Sequence, residues 1–318
     1  MKNIKFLKKI KGDASFRQFY RKRDKSFTSV IVFAKKEKFK NLLVYDAINR
    51  VLNKNDILAP NLYKENYNKN YLEIEDFGDD TFFKILKKRN NNKFIHYKKI
   101  IEVLNKFQSI KDKSSKNFKG KTYLIPKYKK MFLVKEANLF CNWYIKKNLS
   151  KKKRYQFCKK FKKIIKKLSF NLKLKNNVLT HRDFHVSNLM LFKKRIGVID
   201  SQDAMIGNKA YDLASLIDDV RHKTSRSLKN KIYELYVNKQ KKLDKNEFKN
   251  DFEILSVLRN LKIIGIFTRL AIRDGKKDYL NLIPHAWTLI NMRIMDNEVF
   301  LDLKKLLNEY FKEKKNGN

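Results

Sequence analysis

The sequence predicts an α+β chain in two lobes, a small strand-rich one at the N-terminus and a larger, mainly helical one after it. Three observations carry this. Up to about residue 78, short runs rich in Phe, Val and Ile are broken by polar turns. Beyond that point apolar residues recur at i, i+3 and i+4 in one segment after another. A single stretch, 178–200, interrupts the helical pattern with strands and loops. The 318 residues suffice for two cores, and 42% hydrophobic with 13% aromatic residues excludes a disordered chain.

In chain order, residues 16–23 and 27–34 read as two strands around a polar turn at 22–25. Residues 39–52 have helical spacing through Phe39, Leu42, Leu43, Ala47 and Val51. A short strand at 71–74 leads into Glu75-Asp76-Phe77-Gly78. The N-terminal lobe is therefore set at 1–78, with a connector at about 73–79, and the helical lobe at 79–318. Helices are expected near 97–110, 128–147, 152–172, 210–221, 228–240, 248–273 and 299–313. With 8 Gly and 3 Pro there is no linker-like stretch, so boundaries rest on the change of pattern.

The interrupting stretch holds the chemistry. His181-Arg182-Asp183 is followed by Asn188, then by a hairpin, 188–192 and 196–200, that ends in Asp200. A loop Asp, an Asn shortly after it and a second Asp at a strand end are the layout of a kinase catalytic loop with its metal aspartate. The fold class is thus an α+β, bilobal protein-kinase-like fold. Phosphoryl transfer needs a carboxylate to take the proton of the incoming hydroxyl, hard oxygen ligands for Mg²⁺, and both held in line. Asp183 is the expected base; Asn188 and Asp200 are the expected metal ligands, with ATP as phosphate donor. His181 is expected to hold the loop through hydrogen bonds. Arg182 and His185 lie near enough to meet substrate or phosphate. Asp203 either binds a substrate hydroxyl or caps the following turn.

Asp76-Phe77-Gly78 spells the kinase metal motif but stands far upstream of the catalytic loop, the wrong order for a metal ligand. Its place at the change of pattern suits the connector, where the backbone of Glu75 to Phe77 would meet an adenine edge. The phosphate-covering loop is expected at 12–17, where Gly12 allows close backbone approach and the Ser15 hydroxyl adds a donor. Lys35 or Lys36, at the end of the second strand, is a candidate for neutralising the α- and β-phosphates, Lys35 being the one named; Glu37 is too near in sequence to partner it, and the 39–52 helix offers only Asp46.

The net charge is +44, yet the lysines are spread over nearly every segment and outnumber arginine, so no specific nucleic acid is expected. The densest run, 151–175, carries an apolar stripe through Cys158, Phe161, Ile164, Ile165 and Leu168, which reads as a solvated helix with one buried face. Two cysteines, Cys141 and Cys158, are too few for a disulfide scaffold and fit packing in a reduced cytoplasm. No apolar run is long enough to span a bilayer and the first residues lack a secretory core, so a cytoplasmic chain without membrane insertion, taken as monomeric, is expected.

Taken together, residues 181–190, Asp200-x-Gln202-Asp203-Ala204 and Tyr211-Asp212-Leu213-Ala214 resemble the aminoglycoside phosphotransferase-like kinases. More closely they resemble the branch of bacterial anomeric N-acetylmuramate and N-acetylglucosamine kinases. Residues 12–17, 72–79, Glu136-x-x-Leu139-Phe140-x-x-Trp143-Tyr144 and 261–276 match that branch as well. The resemblance implies transfer of phosphate from ATP to a sugar hydroxyl, at C1, in salvage of cell-wall amino sugars. It implies Asp183 as base, Asn188 and Asp200 on Mg²⁺, and Asp212 as a brace of the catalytic loop. His185, Asp203 and Arg273 become candidate substrate contacts. Two departures bear on the nucleotide lobe: Ser201 follows the metal Asp where the branch has an aromatic, and 33–37 replaces a Met-Asp-Ala-Pro-Pro run, which leaves Lys35 without a counterpart.

Two rival functions remain. One is a kinase of another small alcohol, aminoglycoside- or choline-like, although a surface of +44 repels cations at long range. The other is a polyanion-binding pseudokinase, which the intact Asp183, Asn188 and Asp200 oppose. A protein kinase is disfavoured, because the chain after Asp200 reaches the Tyr211 helix with no room for a long activation loop.

Overall fold

The computed structural model describes residues 7–10, 17–24, 27–34, 40–88, 92–295 and 297–311. The chain divides into two compact units, Met1–Pro126 with Val178–Ile206, and Lys127–Asn177 with Gly207–Asn318.

The first unit is built on a five-stranded antiparallel sheet of order β1-β2-β3-β5-β4. Its strands are β1 Leu7–Ile10, β2 Gln18–Asp24, β3 Phe27–Phe33, β4 Leu62–Asn66 and β5 Tyr71–Glu75. β3 takes the middle because Val30, Ile31 and Val32 suit a pleated surface buried on both faces. The edges β1 and β4 carry Lys8, Lys9 and Lys64, which discourage further strand addition. Helix α1 Lys40–Lys54 lays Leu42 and Tyr45 on Val30, Val32, Leu72 and Ile74 to close this core. The expected strands at 16–23, 27–34 and 71–74 and the helix at 39–52 are β2, β3, β5 and α1.

Below the sheet in sequence come α2 Phe82–Lys87, α3 Lys93–Ser109 and a short hairpin, β6 Ser114–Lys116 with β7 Thr122–Leu124. The Thr81 hydroxyl caps α2 by accepting from the Lys84 amide at 3.2 Å. The chain returns through β8 Asn176–Thr180, the hairpin β9 Leu189–Phe192 and β10 Arg195–Val198, and β11 Met205–Asn208, which pairs with β8.

The second unit is helical: α4 Lys130–Ala137, a π-helical turn Phe140–Ile145, α5 Lys146–Asn148, α6 Lys151–Phe170, α7 Ala210–Ile217, α8 Arg226–Asn238, α9 Lys245–Arg273, α10 Ile283–Ile294 and α11 Leu301–Phe311. The single helix expected over 128–147 is thus divided by a π turn. The 29-residue α9 is the longest of these helices and starts at Asp244, whose carboxylate accepts from the Asn246 and Glu247 amides at 2.9 Å. Phe140, Tyr144, Phe157, Phe161, Trp287 and Phe311 pack as one aromatic cluster. The basic helix α6 buries Phe157, Phe161, Ile165 and Leu168, while Lys160 and Lys167 reach Glu309 and Asp302 of α11. The Asp218 carboxylate is fully buried with Lys229 at 3.2 Å, Arg293 at 2.9 Å and the Ser256 hydroxyl at 2.6 Å. Burial pushes this carboxyl up, but Arg293 and Lys229 outweigh it and hold the group below its usual value. Among the described residues no helix is long and apolar enough to cross a membrane.

Gly265, in α9, faces the backbone of Leu139 and Phe140, and a Cβ there would come within 2.6 Å of the Phe140 nitrogen. Backbone cannot rotate aside as a side chain can. Gly265→Ala should therefore force α9 away from the π turn and cost about 3 kcal/mol, the upper part of the range for overpacked cores. Chemical denaturation of the two proteins measures this; equal midpoints would show that the helices have room to separate.

Candidate active site

The loop between β8 and β9 is held from behind by its own first residue. His181 is fully buried beside Phe107 and Phe184, with ring centroids 5.9 and 6.1 Å away. Its Nδ1 accepts from the Asp183 amide at 3.3 Å, so Nε2 carries the proton and donates to the Ile199 carbonyl at 3.0 Å. One ring thus ties the loop to the residue before Asp200. Arg182 follows with a left-handed backbone, φ 72°, and its Nη1 donates to the Asp203 carbonyl at 3.1 Å. That turn leaves Asp183 half-buried at the front of the loop.

Asp183 uses its backbone to hold the loop. Its carbonyl accepts from the His185 amide at 2.9 Å and from the Asn188 side-chain nitrogen at 3.0 Å. The Asn188 amide group is thereby oriented with Oδ1 turned away from that bond, an oxygen suited to a hard cation. The Asn188 carbonyl in turn accepts from the Ile199 amide at 3.0 Å, which brings the end of β10 beside the loop.

Asp200 also has a left-handed backbone, φ 65° and ψ 34°, a conformation that Asp adopts more readily than most residues. Its Oδ1 accepts from Arg17 Nη2, a close ion pair, and from Gln202 Nε2 at 3.3 Å. Gln202 spans two acids, since the same nitrogen donates to Asp203 Oδ2 at 3.1 Å. The Ser201 hydroxyl donates to Asn49 Oδ1 at 2.7 Å and anchors this turn on α1. Asp203 is exposed and His185 buried.

The connector is pinned on both sides. Arg21 of β2 grips Asp76 with two bonds of 2.6 and 3.0 Å, and adds Asp79 at 2.9 Å and the Gly78 carbonyl at 2.9 Å. The bond to Asp76 raises the Arg21 guanidinium further above its already high value. The Asp76 carboxylate of the misplaced Asp-Phe-Gly is thus an anchor. Phe77 is buried, stacked on Phe192 at 4.7 Å, and lies over Gly197, where a Cβ would fall 2.5 Å from its Cε2. Glu75 accepts from Asn61 Nδ2 at 2.7 Å.

Of the residues singled out from the sequence, His181, Arg182, Asp183, Asn188 and Asp200 are brought together around this loop. Gly12, Ser15 and Lys35 lie outside the described residues. Asp46, weighed as the partner of Lys35, is buried and bonded to Arg50 at 2.8 Å. Asp212 is fully buried in α7, and Arg273 is exposed at the end of α9 with Asp274 at 2.7 Å; both belong to the second unit. Sequence reasoning gave no role to Arg17 or Gln202, although both stand inside the quoted motifs. Among the described residues no cluster of three His, Cys, Asp or Glu could hold a metal by itself. An oxygen site made of one amide and one carboxylate, completed by phosphate, forms no such cluster.

The sequence matches the phosphotransferase enzyme family over residues 7–238. It is 26% identical over 279 residues to the N-acetylmuramate/N-acetylglucosamine kinase of Neisseria meningitidis, covering 86% of this chain and 81% of that protein. It is 26% identical over 304 residues to the protein of the same name from Pseudomonas putida, covering 94% and 86%. Among solved structures, a choline/ethanolamine kinase family protein from Mesorhizobium loti superposes with a TM-score of 0.62 at 12% identity, covering 94% of this chain and 92% of that one. An aminoglycoside phosphotransferase, APH(4)-Ia, gives 0.61 at 12% identity, covering 90% and 93%. The α+β, protein-kinase-like fold expected from the sequence is the fold these structures share with the chain.

Proposed function

This chain belongs to the phosphotransferase enzyme family, and from that premise we propose that it moves the terminal phosphate of ATP to the anomeric C1 hydroxyl of N-acetylmuramate or N-acetylglucosamine. The relatives of that name, matched across most of both chains, support the substrate class. A surface of +44 favours the acid-bearing sugar of the two by long-range attraction. The product, a sugar 1-phosphate, suits salvage of cell-wall precursors in the cytoplasm.

The observation that carries the reading is the bond from Asn188 Nδ2 to the Asp183 carbonyl together with that from the Ile199 amide to the Asn188 carbonyl. These two bonds set base, amide oxygen and second carboxylate on one short frame. Asp183 takes the proton of the attacking hydroxyl as its oxygen bonds to the γ-phosphorus and the bond from that phosphorus to the bridging oxygen breaks, releasing ADP. Asn188 Oδ1 and the Asp200 carboxylate are hard oxygen donors that fit Mg²⁺, and the guanidinium already seated on Asp200 marks that carboxylate as a place for positive charge. Mg²⁺, when bound with the nucleotide, neutralises charge on the transferring phosphate. Arg182 and Asp203, joined through the Asp203 carbonyl, flank the acceptor side, with His185 behind them. The backbone of Glu75 to Phe77 receives the adenine edge.

The purified chain, given ATP, Mg²⁺ and a panel of free amino sugars, neutral sugars, aminoglycosides and choline, should yield a new anomeric phosphate doublet in ³¹P NMR with the N-acetyl amino sugars alone. Phosphate at C6, or transfer only to an aminoglycoside or choline, would overturn the anomeric assignment.

A further inference from the structure

We propose that Arg17 is the phosphate-neutralising cation of this site, and that without nucleotide it serves as the countercharge of Asp200. The inference rests on the kinase reading above and extends it to a residue with no assigned role.

Four observations converge on Arg17. Its guanidinium pairs with the Asp200 carboxylate across 183 residues of sequence, and the two side chains are 4% and 37% exposed. The cation is thus sunk in the protein while the acid keeps an open side. The guanidinium carbon stands 5.7 Å from the Phe19 ring and 5.9 Å from the Tyr45 ring, faces that hold a delocalised cation after its carboxylate partner is occupied. Burial pushes the Tyr45 phenol up to about 12, so the ring stays neutral beside the cation. Arg17 also directly follows the glycine-bearing segment 12–16 in sequence and leads into β2.

Elimination points the same way. Among the described residues of the first unit, the buried cations are Arg17 and Arg21. Arg21 is committed to Asp76, Asp79 and the Gly78 carbonyl. The described strand β3, Phe27–Phe33, contains no Lys or Arg. Among the described residues, Arg17 is therefore the buried cation placed beside the carboxylate proposed for the metal. A guanidinium fork suits two oxygens of a phosphate as well as it suits a carboxylate. When Asp200 engages a divalent cation, Arg17 loses that partner and gains the phosphates. The exchange keeps a positive charge on Asp200 in both states and avoids a bare carboxylate next to a bare buried guanidinium.

The test uses the full chain and two probes, Mn²⁺ alone followed by electron paramagnetic resonance, and ADP with Mg²⁺ followed by calorimetry. In Arg17→Gln the competing cation is gone, so Mn²⁺ should bind at least tenfold tighter, about 1.4 kcal/mol. Mg²⁺-ADP should bind at least tenfold more weakly. Arg17→Lys should recover most of the nucleotide affinity, which a packing role would not predict. Unchanged or weaker Mn²⁺ binding in Arg17→Gln overturns the countercharge role, and unchanged ADP affinity overturns the phosphate role. Should Arg17→Gln fail to fold, Asp200→Asn replaces it: releasing the guanidinium should strengthen binding of ADP without metal, and no gain sinks the proposal. If the unaltered chain binds no Mg²⁺-ADP, the kinase reading itself falls; normal binding with an unresponsive Arg17→Gln refutes Arg17 alone.

Discussion

Asp183→Ala is expected to lower turnover about a thousandfold, within the range that a positioned acid or base contributes, while affinity for Mg²⁺-nucleotide stays within about twofold of the parent. The reason for this separation lies in how Asp183 is used. The bonds from the His185 amide and from Asn188 Nδ2 end on its backbone carbonyl. Its amide donates to His181. Those backbone bonds do not use the carboxylate, so they continue to hold Asn188 and the Ile199 bond when it is removed. Circular dichroism should show a folded variant. A variant that turns over normally would remove Asp183 from the role of base, and one that loses nucleotide as well would show that the carboxylate itself supports the loop.

Asp200→Asn is expected to act on both metal and rate. An amide oxygen is a weaker ligand for a hard divalent cation than a carboxylate. Mn²⁺ binding should become undetectable at millimolar concentration, and turnover should fall at least a hundredfold, the scale for losing one preorganised electrostatic group. The chain should still fold, because the asparagine is isosteric, its side chain sits at a half-exposed position, and its oxygen can accept from Gln202 as Asp200 Oδ1 does while the ionic hold on Arg17 is lost. Saturating Mg²⁺ that restores full turnover would show that Asp200 contributes only to affinity.

The site was legible in the sequence where it is local. His181, Asp183 and Asn188 stand within one short loop, and the hairpin that returns Asp200 has strong apolar strands. The same is true of β3, α1 and α9, whose apolar patterns are strong, a stripe in α1 and burial on every side in β3 and the middle of α9. Arg17 was not legible, because an ion pair spanning 183 residues leaves no periodicity. Gln202 is a neutral side chain whose value comes from the two acids it spans. Strands β1 and β4 went unseen because edge strands rich in Lys and Glu lack alternation. Helix α10 did carry signals: Pro284 in its first turn and Ile283, Ala286, Trp287, Ile290 and Ile294 along one side. The two-unit division draws 178–206 into company with the N-terminal sheet, a grouping set by contacts between distant segments that a linear pattern cannot express.

The π turn at Phe140–Ile145 has a bearing on evolutionary history. Such turns arise when one residue is inserted into an existing α-helix and the strain is confined to a single wide loop of backbone. Deleting one residue from 140–145 would let ordinary helix run on, and because the turn absorbs the extra residue the change would fall on the side chains within it. Tyr144 would then leave Trp287, with which it now shares a hydrogen bond of 3.3 Å. An ancestor lacking that residue would have needed a different partner for the tryptophan. Length variation at this point among relatives should therefore coincide with exchange of the aromatic at 287.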